Sequence, residues 1–273
     1  MREMTLKEIQ QVSLDILKDI HEFCVKNDIK YTLFSGTLIG AIRHQGFIPW
    51  DDDLDIAFTR PEYERFVRNY KSEKGYKLFS RERQGDNVYI SYARVCEMDK
   101  TYVDDCKLPW TNERKGVWVD VFPLDGAEEN YDKAAQQCEQ NFRIWHNGLR
   151  IRRAMAPLRC VDGFLPTVKL LVTKLLFGWR SNRYWEEHIA YCKRIDFTQT
   201  KNYCHLAWGG WKMREYYKTS AFSSYVLKPF EDGEFYVMQD FDGALRAKYG
   251  DYMQLPPKNE QVSRHGNWQY YWK

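Results

Sequence analysis

Residues 47–58, FIPWDDDLDIAF, set four aspartates (Asp51, Asp52, Asp53 and Asp55) hard against an apolar run. Leu54, Ile56 and Phe58 alternate with Asp53, Asp55 and Ala57, the period-two pattern of a strand, so Asp53 and Asp55 share one face. This restricts the fold: the strand must be buried on one side and must open the other onto a cleft that tolerates charge. Two carboxylates so close repel unless protonated or neutralised, and a hard divalent cation held by oxygen ligands resolves the conflict. Asp52 should face away from the pair as a solvated neighbour, while Trp50 and Asp51 form the approach to the strand.

A calcium-binding module is the rival reading. Asp51, Asp53 and Asp55 match the first three ligand positions of an EF-hand loop, and Glu62 falls at the twelfth. Ile56 stands where that loop needs its glycine, however, and Pro61 and the alternation describe a strand followed by a helix.

Upstream, Thr5 and Glu8 form a capping-box pattern, and Ile9, Val12, Ile16 and Ile20 follow at helical spacing, predicting an amphipathic helix over residues 6–26. A β-prone run, Tyr31 to Phe34, then meets Ser35-Gly36 and a helix-like segment. At such a junction free N–H groups can hold a phosphate, which makes Ser35, Gly36 and Thr37 candidate nucleotide contacts. Arg43, ahead of His44, is the candidate phosphate partner from the same stretch. A helix is expected from Pro61 to Tyr70, and strands over 76–79, 88–95 and 117–122. Asp120 in GVWVDVFPLDG is the one charge inside its strand-like run and is the candidate third carboxylate. Asp125, preceding Gly126, reads as a turn former.

Residues 131–195 read as helices broken near 157–163 and 178–182. LKPFEDGEFYV then gives two short strands around Asp232-Gly233, followed by a helix over 240–249. An irregular tail carries Lys258, Arg264 and His265 as candidate substrate-binding groups on an unstructured terminus. The expected organisation is one catalytic body: a core over 1–125, a mainly helical lobe or insertion over 126–220, and a hairpin, helix and tail over 221–273 completing the site.

With 273 residues the chain can bury a sizeable core, and a net charge of +3 without any nucleic-acid motif argues against nucleic acid as a partner. Seven scattered cysteines lack a C-x-x-C pair and read as reduced thiols of a cytoplasmic protein. Residues 150–183 hold eight basic residues against one acidic, Asp162, around apolar Phe164 to Trp179, a composition suited to peripheral contact at the inner face of a membrane. Trp110, Trp208 and Trp211 are candidates for an aromatic site facing a quaternary ammonium.

The stretch FSGTLIGAIRHQGFIPWDDDLDIAF, with VWVDVFPLDG and YGDYMQLPP, closely resembles the LicD family. The order of Ser-Gly after a strand, D-x-D on the next and one Asp on a later strand resembles the nucleotidyltransferase fold shared with the DNA polymerase β superfamily. The resemblance implies an α+β fold, a polymerase β-like mixed-sheet core with a largely helical second lobe. It further implies metal-dependent transfer of a phospho-alcohol group, phosphocholine foremost. The donor would be a CDP-alcohol of the CDP-choline type or, as in the similar fukutin-related proteins, the CDP-ribitol type. The acceptor would be a sugar hydroxyl of a cell-surface glycan, teichoic acid or lipopolysaccharide precursor, free or lipid-linked. Mg²⁺, with Mn²⁺ as a substitute, would be held by Asp53, Asp55 and Asp120, and the nucleotide by Ser35 and Gly36, with Trp50 and Asp51 also fitting the family pattern. Nucleotidyl transfer to a protein or small molecule is the alternative chemistry on such a fold.

Overall fold

The computed structural model describes residues 1–105, 109–111, 113–263 and 268–273, with backbone alone at 159 and 180–182. Two elements open the chain: a two-residue strand β1 (Arg2–Glu3) and helix α1 (Leu6–Lys26). The capping box forms as expected: Thr5 Oγ1 accepts the Glu8 N–H at 3.3 Å, and the Glu8 carboxylate accepts the Thr5 N–H at 2.8 Å. After β2 (Thr32–Leu33) comes a short helix α2 (Ser35–Ile39), which runs into a π turn over Gly40–His44; β3 (Asp55–Thr59) and α3 (Arg60–Asn69) follow. Next are β4 (Lys77–Phe79), the single turn α4 (Arg81–Gln84), β5 (Ala93–Cys96), β6 (Thr101–Asp104) and the longer β7 (Trp118–Gly126).

The middle of the chain is helical, as its pattern predicts: α5 (Tyr131–Met155), α6 (Phe164–Phe177) and α7 (Ser181–Cys192), with α6 and α7 both packed on α5. Short strands β8 (Asn202–Cys204) and β9 (Tyr216–Lys218) lead to the hairpin β10 (Tyr225–Phe230) and β11 (Gly233–Met238). Helix α8 (Phe241–Tyr249) and strand β12 (Gln269–Trp272) complete the fold. The α+β body is therefore observed.

The main sheet runs β2-β3-β7-β5-β4, and β8 and β9 extend it from the far end of β7. β3 and β7 are parallel, while β5 is antiparallel to β7. Register places Asp55 opposite Asp120, and Asp120 opposite Arg94, so one cross-strand row reads Asp55, Asp120, Arg94. The other face closes the core, with Leu54, Ile56 and Val121 fully buried and α1 contributing Ile16, Leu17 and Ile20. The helical segment is tied to the sheet side by buried His188, whose Nδ1 lies 2.7 Å from Ser91 Oγ and whose Nε2 lies 3.1 Å from Asn141 Oδ1.

Several expectations need correction. Residues 269–272 are not an unstructured tail, because β12 lies between β1 and β6 in a three-stranded sheet; Arg264 and His265 lie outside the described residues. Asp125 is no turn former: it is a buried residue of β7, gripped by Arg60 through two bonds of 2.6 and 2.8 Å. Asp52 is not solvated either, being buried and accepting a bond from Ser263 Oγ at 2.8 Å. Cys24, Cys96, Cys138, Cys192 and Cys204 are free and buried, but Cys160 is disulfide-bonded, so the thiols are not all reduced.

Candidate active site

The pattern that buries Leu54 and Ile56 turns Asp53 and Asp55 toward a cavity of about 780 Å³. Asp120 from the adjacent strand joins them, with Ser35, Gly36, Arg43 and Asp51 also on its wall. Of the residues predicted to hold metal or nucleotide, only Thr37 stands outside the lining. Its buried Oγ1 accepts the Asp55 N–H at 2.8 Å, so it fixes the turn to the acidic strand.

The turn is tight for a reason. Ser35 adopts φ +49°, a left-handed conformation costly for a residue with a side chain. A Cβ on Gly36 would meet Asp51 Oδ2 at 2.7 Å, so glycine lets the Asp51 carboxylate lie this close to the turn. Asp51 is further set by its main chain, whose carbonyl accepts Gln10 Nε2 at 2.8 Å.

Burial, then the charges of Asp53 and Asp120, pushes the Asp55 carboxyl well above the ordinary carboxylate range. The crowding inferred from sequence is thus physical. Asp120 is balanced from within the protein: Arg94 Nε and Nη2 reach its two oxygens at 2.5 and 3.3 Å. Burial disfavours the Arg94 charge, and Asp120 more than offsets that, holding the guanidinium above its ordinary value. Arg94 Nη1 is buried with no hydrogen-bond partner among the described residues, and the guanidinium lies 4.2 Å from the Trp118 ring centroid and 4.7 Å from that of Trp110.

Asp53 and Asp55 offer hard oxygen donors in a crowd of like charge, which fits a divalent cation; Asp120, shared with Arg94, is the less available ligand. Among the described residues no group of three or more His, Cys, Asp or Glu side chains stands assembled as a metal cage. Mg²⁺ typically takes one or two carboxylates and completes its shell with water and phosphate oxygens, so a two-carboxylate platform suffices. The EF-hand alternative fails geometrically. Asp55 to Thr59 is sheet, and the Glu62 carboxylate is spent on the Lys30 N–H at 3.1 Å and on Arg65 at 2.8 Å.

A second polar group adjoins the Ser35 turn, with its Glu215 and His205 on the cavity lining. Lys248 Nζ, on α8, donates to Ser35 Oγ at 2.7 Å and to Glu215 Oε1 at 2.6 Å, and Glu215 Oε2 lies 3.1 Å from His205 Nδ1. Burial alone would raise Glu215, but His205 and Lys248 reverse that and hold it below its ordinary value. His205 Nε2 is left without a hydrogen-bond partner among the described residues, on a side chain that borders the cavity. None of these residues was singled out from sequence, nor was Arg152, whose buried guanidinium also faces the cavity and is lowered by burial to about 10. Arg94 carried the same signal as Asp120, a lone charge in a strand-like run. His205, Glu215 and Lys248 come from three elements whose convergence leaves no local mark.

Arg43 lines the cavity and braces its rim by donating to the Tyr252 and Gln254 carbonyls at 2.5 and 3.3 Å. Trp208 and Trp211 line the cavity with Trp50 and Trp268, whereas Trp110 is wholly buried in the core.

Residues 28–150 match the family described as LicD/FKTN/FKRP, nucleotidyltransferase domain. Across 97% of this chain and 97% of the relative, the sequence is 33% identical to the lipopolysaccharide cholinephosphotransferase LicD of Haemophilus influenzae. Shorter segments match uncharacterized proteins of Rickettsia typhi, at 40% identity over 33% of this chain and 29% of the relative, and of Rickettsia prowazekii, at 42% over 23% and 27%. The chain belongs to the LicD family.

Proposed function

We propose that this LicD-family phosphotransferase moves phosphocholine from a CDP-choline-type donor to a sugar hydroxyl of a lipopolysaccharide precursor or a comparable cell-surface glycan such as teichoic acid. One observation carries the reading. A single cavity gathers Asp53, Asp55, Asp120 and the Gly36 turn with arginines and tryptophans, in a chain that aligns along nearly its whole length with a named cholinephosphotransferase.

Asp53 and Asp55 would hold Mg²⁺ or Mn²⁺, with Asp120 adjoining. When bound, the ion would neutralise the donor diphosphate and ease departure of the leaving group. Arg43, Arg94 and Arg152 supply positive charge to the same cavity and orient phosphate oxygens. The indole walls suit a quaternary ammonium, which binds aromatic faces and needs no hydrogen bond. The acceptor hydroxyl attacks the phosphorus bearing choline and passes its proton toward His205 Nε2, a new P–O bond forms, the diphosphate bridge breaks and CMP departs. Asp120 is a poor proton acceptor while Arg94 holds it, whereas His205, oriented by Glu215, presents Nε2 to a polar group of the substrate.

The test is to incubate the protein with Mg²⁺, CDP-choline or CDP-ribitol, and lipopolysaccharide acceptors, and to weigh the products. A phosphocholine increment with release of CMP is expected. A nucleotidyl increment on the acceptor would overturn the transfer chemistry, and a ribitol phosphate increment would correct the donor alcohol.

A further inference from the structure

Helix α6 carries apolar residues on both sides of its cylinder. Leu170 is buried against α5, with Thr167, Thr173 and Phe177 half-buried beside it, while the outward side exposes Phe164 (82%), Leu165 (77%), Leu171 (48%) and Leu175 (77%), and exposed Trp179 follows in the turn after the helix. At 3.6 residues per turn these outward side chains, with Val168, Val172 and Leu176, fill a continuous sector of about 140°. Monomeric proteins rarely leave so large an apolar patch in water.

The charge along the sector points to what covers it. Exposed Lys169 falls at one edge, while Lys174 lies on the α5 side with its Nζ donating to the Ala154 carbonyl at 2.8 Å, and α6 contains no acidic residue. Long basic side chains beside an apolar sector can rest their stems on hydrocarbon and lift their ammonium groups to phosphate. A second copy of the chain fits less well, because a self-complementary contact would cover the Lys169 edge with no carboxylate of α6 to pair it. Nor can the helix span a bilayer: 14 residues reach about 21 Å against a hydrocarbon core of about 30 Å. No helix among the described residues is long and apolar enough to cross.

We propose that α6 docks this protein in the plane of a membrane bearing anionic headgroups, with its outward sector in the acyl boundary. Placement links the surface to the site. α6 packs on α5, and α5 sends Leu149 and Arg152 into the cavity, so one helix separates the docked face from the acidic strands. An acceptor anchored in the same bilayer would be presented close to the cavity, a consequence that rests on the transfer reading, whereas docking itself does not.

The test uses flotation of the full chain with vesicles of phosphatidylcholine alone or of phosphatidylcholine mixed with phosphatidylglycerol, without any donor. Binding is expected only with phosphatidylglycerol and should weaken as salt rises. The pair Leu165→Glu and Leu175→Glu should lower partitioning roughly tenfold or more, and Lys169→Gln about fivefold with a flatter salt dependence. All three positions face outward, so circular dichroism and the melting temperature should not change. Equal binding to both vesicle types, or binding untouched by the paired substitution, would overturn the proposal. So would a dimer in solution that the paired substitution splits while vesicle binding persists, since the face would then belong to a second copy. Vesicle binding without transfer activity would leave docking intact and count against the chemistry alone.

Discussion

At the scale of single residues, the site crowds like-charged carboxylates together, and Asp55 bears the strain. Replacing Asp53 by Asn preserves shape and removes one hard ligand, so transfer should fall by roughly a hundredfold or more while the melting temperature holds; unchanged turnover in a product assay would refute the assignment. Gly36→Ala places a methyl 2.7 Å from Asp51 Oδ2, and the Asp51 carboxylate must shift. Transfer should drop about tenfold with little loss of stability, measured by pairing initial rates with thermal melts. Most of this site was legible because the D-x-D strand, the Ser-Gly turn and Asp120 announce themselves by pattern. Asp52 and Asp125 were misjudged because their partners, Ser263 and Arg60, are distant in sequence, and burial of a charge is decided by the partner.

Among elements, those with a strong local period were readable: α1, β3, α3 and α8 all form within a residue or two of their expected bounds. β6 and β12 were not, since each is a short strand held by pairing with a distant one. β12 nonetheless matters to the site. Tyr270 is buried, and its ring lies 6.3 Å from that of Trp118, which in turn lies over the Arg94 guanidinium. Tyr270→Ala should cost about 3 kcal/mol in urea denaturation and lower transfer as well, because Trp268 at the cavity wall precedes the same strand. Retained stability in that variant would mean β12 is dispensable.

Across the whole molecule, His188 is the buried joint between the helical segment and the sheet side. Burial pushes its ring down to about 4, whereas an unfolded histidine titrates near about 6.5. The unfolded chain therefore binds the extra proton first, so the stability this group contributes is complete above about 6.5 and is lost as pH falls toward about 4, amounting to about 3 kcal/mol. Chemical denaturation across that window should show the decline, and His188→Gln should flatten it. A decline of the same slope in the variant would place the acid sensitivity elsewhere.

The cross-strand row Asp55, Asp120, Arg94 also carries an order of assembly. Arg94 and Asp120 are 26 residues apart, whereas Asp55 and Asp120 are more than twice as distant and meet through a parallel pairing. Loop closure favours the nearer pair, so Asp120 should acquire its counter-charge before β3 arrives, and the second carboxylate should dock beside a neighbour already neutralised. Removing that counter-charge with Arg94→Met should then slow refolding more than it speeds unfolding in stopped-flow experiments. The arginine that balances the finished site would be, earlier, what allows its central strands to close.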